Sequence, residues 1–246
     1  MSRSRFDVVA AQYDAGRPGY PDEMFEALQQ FAGFSLASAR VADVGAGTGI
    51  ASRGLIRRGA HVVAVDHGVR MLATLRGRTP EAQVVLADAN ALPFADHSFD
   101  LVTFAQSWHW VDLDRAPAEV TRVLRPGGAL AVCWNVAQIG VEDWHDAHRA
   151  RLRQLGANDA VGSRLEEVWK SVPSAFGDRE VLTAHFPWQR RISKQVMLDE
   201  IASKSYVAAL GAKDAAAYLE GECALLPDGE LTQPFVTRLA VVRMAR

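Results

Sequence analysis

Cysteine is scarce in this chain: two residues in 246, Cys133 and Cys223, with no metal or redox spacing between them. That excludes a disulfide framework and makes a reducing cytoplasm the expected compartment. Cys133 lies in an apolar run and reads as a small buried residue. No apolar run is long enough to cross a bilayer. The opening residues, M-S-R-S-R-F-D, lack the apolar core of a secretory signal. An excess of one charge is missing too: 27 Lys and Arg stand against 29 Asp and Glu, a net charge of -2. There is thus no polybasic signature for nucleic acid or an anionic membrane. Internal repeats, low-complexity tracts and polar linkers are absent. So are a Gly-Lys-Ser/Thr phosphate loop, a zinc-binding H-E-x-x-H and a G-x-S-x-G nucleophile elbow. The expected partner is a small molecule, with no nucleic acid and no membrane. The oligomeric state stays open between monomer and homodimer.

What is present is enough apolar sequence, 49% of residues, to bury a full core in one domain. Short apolar runs alternate with helical patterns through the first half. Strands are predicted over 40–44, 61–66, 83–87, 100–105 and 129–134, and helices over 50–57, 69–78 and 113–124. Such alternation implies parallel strands joined by right-handed crossovers, with helices on both faces: an α/β, doubly wound, mostly parallel sheet. Phe6, Val9 and Tyr13 fall at helical spacing, and Pro21 is placed to open a helix running to about residue 31. After Asn135 the rhythm changes. Helices are predicted over 142–155, 165–172, 194–210 and 214–225. A strand over 181–192 is interrupted by Pro187, and a last strand covers 235–242. A helical insertion or cap followed by a return to the sheet fits this order. His145 and His148 with Asp143 and Asp146 have a superficially metal-like spacing but read as a solvated helix face, and no metal is expected.

The chain is organised around residues 41–49, V-A-D-V-G-A-G-T-G. A buried strand runs into a tight turn at Gly45, Gly47 and Gly49, where bare backbone lets a ligand approach closely. The dinucleotide fingerprint G-x-G-x-x-G would require glycine at position 50, which is Ile50. Instead an acid, Asp43, precedes the first glycine. It would repel a pyrophosphate but could accept hydrogen bonds from a cationic amino group. Asp66 ends the second strand, where nucleotide-binding folds place an acid on the ribose hydroxyls. An NAD enzyme would use the same acid, so Asp66 indicates an adenosine cofactor without choosing one.

Residues 41–49 with Asp43 resemble the nucleotide-binding motif of class I S-adenosylmethionine (SAM) dependent methyltransferases. The sequence A-D-A-N-A-L-P-F at 87–94, the S-F-D at 98–100 and the R-V-L-R-P-G-G at 122–128 also match that family in order. The resemblance covers roughly residues 13–135. It implies a Rossmann-like seven-stranded sheet with an antiparallel C-terminal edge hairpin. It also implies SAM as the cofactor, held by Asp43, Gly45, Gly47, Gly49, Asp66 and His67, with Asp88 and Ala89 at the adenine. A narrower resemblance, to the branch containing trans-aconitate methyltransferase, rests on Y-D-A-G-R-P-G-Y at 13–20, S-W-H-W-V at 107–111 and the region of residues 203–206.

The carboxyl ends of central strands in such a sheet face the ligand crevice. Ala105 and Gln106 are therefore expected to meet SAM through their backbone. His109 is the candidate catalytic residue, as acceptor-binding group or base, against the alternative of a packed histidine between two tryptophans. Trp108 and Trp110, with Tyr20, are the candidate substrate-binding residues. Trp108 and Trp110 read equally well as core. Tyr13, Arg17 and Tyr20 form an expected N-terminal lid, with Tyr13 and Arg17 on the cofactor and the Arg17 guanidinium suited to a carboxylate. The expected division is a lid at 1–35, a SAM-binding core at 36–135, a helical cap and acceptor region at 136–230 and a last strand at 231–246. The expected activity is methyl transfer to a small molecule, with oxygen favoured. An NAD-dependent oxidoreductase and a non-catalytic SAM-binding regulator are the alternatives.

Overall fold

The structure, a computed structural model, describes residues 14, 16–138, 143–155, 160–204 and 206–245. The helix expected around Phe6–Tyr13 lies outside these. The chain begins with α1 (Asp22–Ala32) and continues β1 (Arg40–Val44), α2 (Ile50–Ile56), β2 (His61–Asp66), α3 (Val69–Arg78), β3 (Gln83–Leu86) and β4 (Phe99–Ala105). A single 3₁₀ turn (Trp108–Trp110), α4 (Ala116–Val123) and β5 (Leu124–Ala137) follow. The remainder is α5 (Asp143–Gln154), α6 (Ala160–Ala175), β6 (Val181–Ser193), α7 (Lys194–Ala202), α8 (Ala212–Leu225) and β7 (Glu230–Arg243).

The seven strands form one sheet in the order β3-β2-β1-β4-β5-β7-β6. The first five are parallel, while β7 runs antiparallel to both β5 and β6. This is the Rossmann-like seven-stranded arrangement expected, with its antiparallel edge hairpin. Side chains alternate across the sheet. Ala42, Val44, Val102, Phe104, Leu130 and Val132 enter one core with Trp108 and Phe176. Val41, Leu101, Ala129, Ala131 and Cys133 enter the other, under Met24, Phe25 and Leu28 of α1. Burial on both faces explains why these strands read as continuous apolar runs. Helices α5, α7 and α8 share a small core of their own with β7, built on Trp144, Met197, Ile201, Tyr218 and Leu231.

Several elements differ from expectation for physical reasons. Pro187 does not interrupt β6: it pairs with Val236 on an edge strand, whose outer side needs no N–H donor. The helix expected over 194–210 ends at Ala202, and that expected over 165–172 extends over Ala160–Ala175. The helix expected from residue 113 begins at Ala116, and the last strand is longer than expected, starting at Glu230. The α5 histidines do not make a solvated face. His145 is buried, and the His148 Nδ1 lies 2.7 Å from Glu222 Oε2, with Glu222 wholly buried.

Candidate functional site

The site is assembled where β1 ends. Val44 closes the strand, and Gly45, Gly47 and Gly49 turn the chain at φ of +69°, +57° and +84°. The Gly45 and Ala46 N–H groups both donate to Val65 O, at 2.8 and 3.0 Å, locking the turn to the end of β2. A Cβ on Gly45 would stand 2.4 Å from Ser107 Cβ, while one on Gly47 would meet nothing within 4 Å. Gly45 is therefore required by packing. Gly47 leaves an open cradle in its left-handed backbone.

Asp66 braces this turn. Its Oδ2 accepts from Gly47 N–H at 2.8 Å and its Oδ1 from Gly68 N–H at 2.7 Å, so one carboxylate joins the glycine turn to the start of α3. It is 8% exposed at the rim of the cradle, and a carboxylate retains acceptor capacity beyond two bonds. His67 beside it is exposed, with Nδ1 3.8 Å from Asp66 Oδ1. Asp43 lies deeper and is fully buried. Its two oxygens accept from Ser52 Oγ at 2.5 Å and Thr103 Oγ1 at 2.9 Å, tying β1 to α2 and β4 beneath the turn. Burial raises its pKa, against the lowering effect of the two hydroxyls.

Asp88 sits past β3 on the surface, where its Oδ1 accepts from both the Asn90 N–H and side-chain amide. Asn90 in turn accepts from Asp112 N–H at 2.9 Å, fixing residues 88–90 with half-buried Ala89 between. Arg122 holds the next stretch by donating to Leu92 O and Phe94 O.

Beyond β4, Gln106 adopts φ +58°, uncommon for a residue with a Cβ, and donates its N–H to Cys133 O. Ser107 Oγ donates to Val44 O at 2.6 Å, which draws the loop after β4 onto the end of β1. The two tryptophans then part. Trp108 is 1% exposed, edge-on to Phe104 at 4.9 Å, with its indole N–H on Ser171 Oγ. Its packing is that of core. Trp110 is half exposed. The His109 ring lies between Trp110 at 4.6 Å and Trp134 at 6.3 Å, and Trp134 continues to Trp169 at 6.0 Å.

Residues 16–20 cross this end of the sheet as a strap; Tyr13 lies outside the described residues. Just before the strap, Asp14 pairs with Arg53 of α2 at 2.9 Å. Gly16 packs so closely on α7 that a Cβ would lie 2.3 Å from Glu200 N. Arg17 Nε donates to Ser203 Oγ, and Asn135 at the end of β5 donates to Gly19 O at 2.7 Å. Tyr20 packs edge-on to Phe25 in the core below. Residues 14 and 16–20 are thus held from α2 to α7. Ser107, Asn135 and the Ser52–Thr103 pair had no signal of their own in the sequence, being ordinary polar residues that acquire roles through tertiary contact.

An open parallel sheet with a glycine turn and an acid at its carboxyl edge defines a Rossmann-like nucleotide-cofactor protein. Comparison with known proteins makes this specific. The family described as "Methyltransferase domain" matches residues 42–132. An uncharacterized methyltransferase of Mycobacterium tuberculosis is 38% identical over 206 residues, 84% of this chain and 78% of that one. The malonyl-[acyl-carrier protein] O-methyltransferase of Halorhodospira halophila is 33% identical over 227 residues, covering 87% and 71%. Among solved structures, a candidate type II methyltransferase of Anaeromyxobacter dehalogenans superposes with a TM-score of 0.64 at 25% identity, covering 93% and 97%. A Haemonchus contortus phosphoethanolamine N-methyltransferase bound to S-adenosylhomocysteine shares the fold at a TM-score of 0.56 and 16% identity, covering 99% of this chain and 58% of that one. The chain belongs to the class I SAM-dependent methyltransferases, and its cofactor is SAM. The site fits that group: Gly47 leaves an open cradle and Asp66 stands at its rim.

Proposed function

We propose that the protein methylates a small-molecule acceptor at oxygen, with His109 at the methyl-accepting end. The observation that carries this is the anchoring of the loop after β4. Ser107 is bonded to Val44 at the head of the glycine turn, which supports assigning His109 and Trp110, two and three residues on, to the cofactor's side of the sheet. Bound SAM supplies an activated methyl on a cationic sulfur, whose transfer is an in-line displacement. The chain's tasks are then alignment and exclusion of water.

In this reading Gly45, Gly47 and Gly49 shape the cradle, and Asp66 with His67 meets the ribose. Asp88 and Ala89 border the adenine, and Ala105 and Gln106 present backbone near the sulfonium. Asp43, buried on Ser52 and Thr103, supports the turn from below. Tyr13 and Arg17 close over the cofactor. Tyr20 and Trp110 line the acceptor side, with Trp108 stiffening it from the core. The division into lid (1–35), cofactor core (36–135), acceptor cap (136–230) and last strand (231–246) follows the same logic, and so does kinship with the trans-aconitate methyltransferase branch. The oxygen preference draws support from the Halorhodospira relative, whose name places its methyl on oxygen.

His109 can orient the acceptor, or take the proton from a hydroxyl as the new bond forms; a carboxylate acceptor needs no base. The test is steady-state kinetics of His109→Ala with labelled SAM. A base predicts a kcat loss of about 10²–10⁴-fold and a wild-type rate that falls as pH drops through the imidazole range. A binding role predicts a raised KM with kcat kept. Native kinetics would return His109 to a packing role.

A further inference from the structure

The loop after β4 is tied at both ends. At its start, Ser107 Oγ donates to Val44 O at 2.6 Å, at the head of the glycine turn. At its end, the Asp112 N–H donates to Asn90 Oδ1 at 2.9 Å, and Asn90 lies two residues past Asp88. Between the two ties run the 3₁₀ turn Trp108–Trp110, which carries His109, and Val111. The loop is thus strung between the glycine turn and the segment after β3.

Asn90 serves both sides of the second tie. Its Oδ1 accepts from Asp112, while its Nδ2 donates to Asp88 Oδ1 at 2.9 Å. Its own N–H reaches the same oxygen at 3.0 Å. The backbone bond is an Asx turn, which the aspartate makes with any following residue that has an N–H. The side-chain amide adds a second donor on Oδ1 and a link to a segment 22 residues away. An amide carries donors and an acceptor at once, so one side chain can satisfy both partners. Both of its bonds to Asp88 fall on Oδ1, which sets the rotation of the carboxylate without engaging Oδ2.

The rest of the segment is held without Asn90. The Leu92 N–H donates to Glu119 Oε2 at 2.9 Å, and Arg122 donates to Leu92 O and Phe94 O. Glu119 and Arg122 both lie on α4. The Ala91 N–H donates to Asp88 O at 3.0 Å, so the turn itself has a second backbone closure. Asp112 O accepts from the N–H groups of Arg115 and Ala116, which secures the start of α4 independently. What the Asn90 amide alone supplies is the join between the Asp88 carboxylate and the end of the His109 loop.

We propose that Asn90 is a positioning residue: its amide aims the Asp88 carboxylate at the cofactor's base and pins the end of the loop that carries His109. One side chain then places both the adenine end of the cofactor site and the acceptor loop. This rests on the reading above that Asp88 borders the adenine. A carboxylate is an acceptor, and the donor on the rim of adenine is its exocyclic amino group. A carboxylate held in one rotation selects that amino group over a carbonyl at the same position.

The test is calorimetry on the full chain with S-adenosylhomocysteine and with S-inosylhomocysteine, in which a carbonyl oxygen replaces the adenine amino group. Wild type should favour the adenine compound about tenfold or more, the worth of one hydrogen bond to a charged group. Asp88→Ala, Asn90→Ala and Asn90→Asp should each cut that preference to about threefold or less. Acrylamide quenching of Trp110, taken as the difference between each protein and its Trp110→Phe counterpart, should rise about 1.5-fold or more in Asn90→Ala as the loop is unpinned. Asn90→Asp retains an acceptor for Asp112 but no donor to Asp88, so it should lose the base preference and keep wild-type quenching. No preference in wild type, or its survival in Asp88→Ala, overturns the adenine reading and this inference with it. A preference lost in Asp88→Ala but kept in both Asn90 variants overturns the positioning role and leaves the adenine reading standing. Equal quenching of Trp110 in wild type and Asn90→Ala overturns the tie to the His109 loop.

Discussion

Replacing Gly45 with alanine probes the contact on which the cofactor cradle depends. Two costs can be separated. The residue sits at φ +69°, where an L side chain costs about 1–2 kcal/mol. Its new Cβ would also stand 2.4 Å from Ser107 Cβ and 2.8 Å from Ser107 Oγ. The hydroxyl cannot swing aside cheaply, because it donates to Val44 O at 2.6 Å in a buried position. Overpacking of that kind costs about 1–3 kcal/mol. The sum, roughly 2–5 kcal/mol, corresponds for a domain of this size to a drop in Tm of about 4–20 °C. Ser107→Gly alone loses one hydrogen bond and gains backbone freedom, about 1–2 kcal/mol. The double variant removes the clash but keeps the strained φ. It should therefore be more stable than the sum of the single effects by about 1–3 kcal/mol. Denaturant unfolding of the four proteins measures this coupling. Additive effects within about 0.5 kcal/mol would refute the claim that Ser107 is what excludes a side chain at Gly45.

Asp66→Ala should weaken S-adenosylhomocysteine binding and also lower Tm, because the same carboxylate accepts from Gly47 and Gly68 in the free protein. Each bond to a charged group contributes about 1.5–3 kcal/mol, and unchanged affinity with a lowered Tm would leave Asp66 as a brace alone. Acid stability should report on Glu200. Burial would raise its pKa, but Lys204 and Arg190 outweigh that and hold it at about 2 against an ordinary 4.5. Its contribution is therefore present above the unfolded pKa and lost as pH falls from about 4.5 towards 2, a change of about 3 kcal/mol. Stability curves of wild type and Glu200→Gln should converge across that window; parallel curves would show that Glu200 is not ionised in the fold.

The cofactor half was readable because its determinants are local. A strand, a glycine turn and a following helix are specified by about ten consecutive residues, and Asp66 follows at the next strand end. Continuous apolar runs gave the parallel strands. Tertiary position decided the rest. Pro187 looked like an interruption because a sequence does not say which strand is the edge. Trp108 and Trp110 are two residues apart and chemically alike, yet one is core and the other half exposed, since a single 3₁₀ turn points them in different directions. His148 looked solvated because its partner Glu222 lies 74 residues away in the sequence.

The strap shows the deepest limit of the one-dimensional view. Beside the side chains of Arg17 and Tyr20, three of its attachments run through its backbone: Gly19 O accepts from Asn135, Gly16 O from Arg190, and Gly16 Cα lies against α7 only because no Cβ intervenes. A carbonyl has the same chemistry at every residue, so these bonds leave no mark on residue type in the strap itself. They mark the partners instead, and each partner is a polar residue at a place where an apolar one would otherwise pack: Asn135 at the end of a buried strand and Arg190 on the hairpin. Buried polar groups are retained where they are satisfied, and the strap supplies one acceptor to each of these two. Asp14 meanwhile secures the approach to the strap on α2, directly after the glycine turn. The same few residues therefore touch the helix that opens behind the cofactor cradle, the β6 arginine and α7.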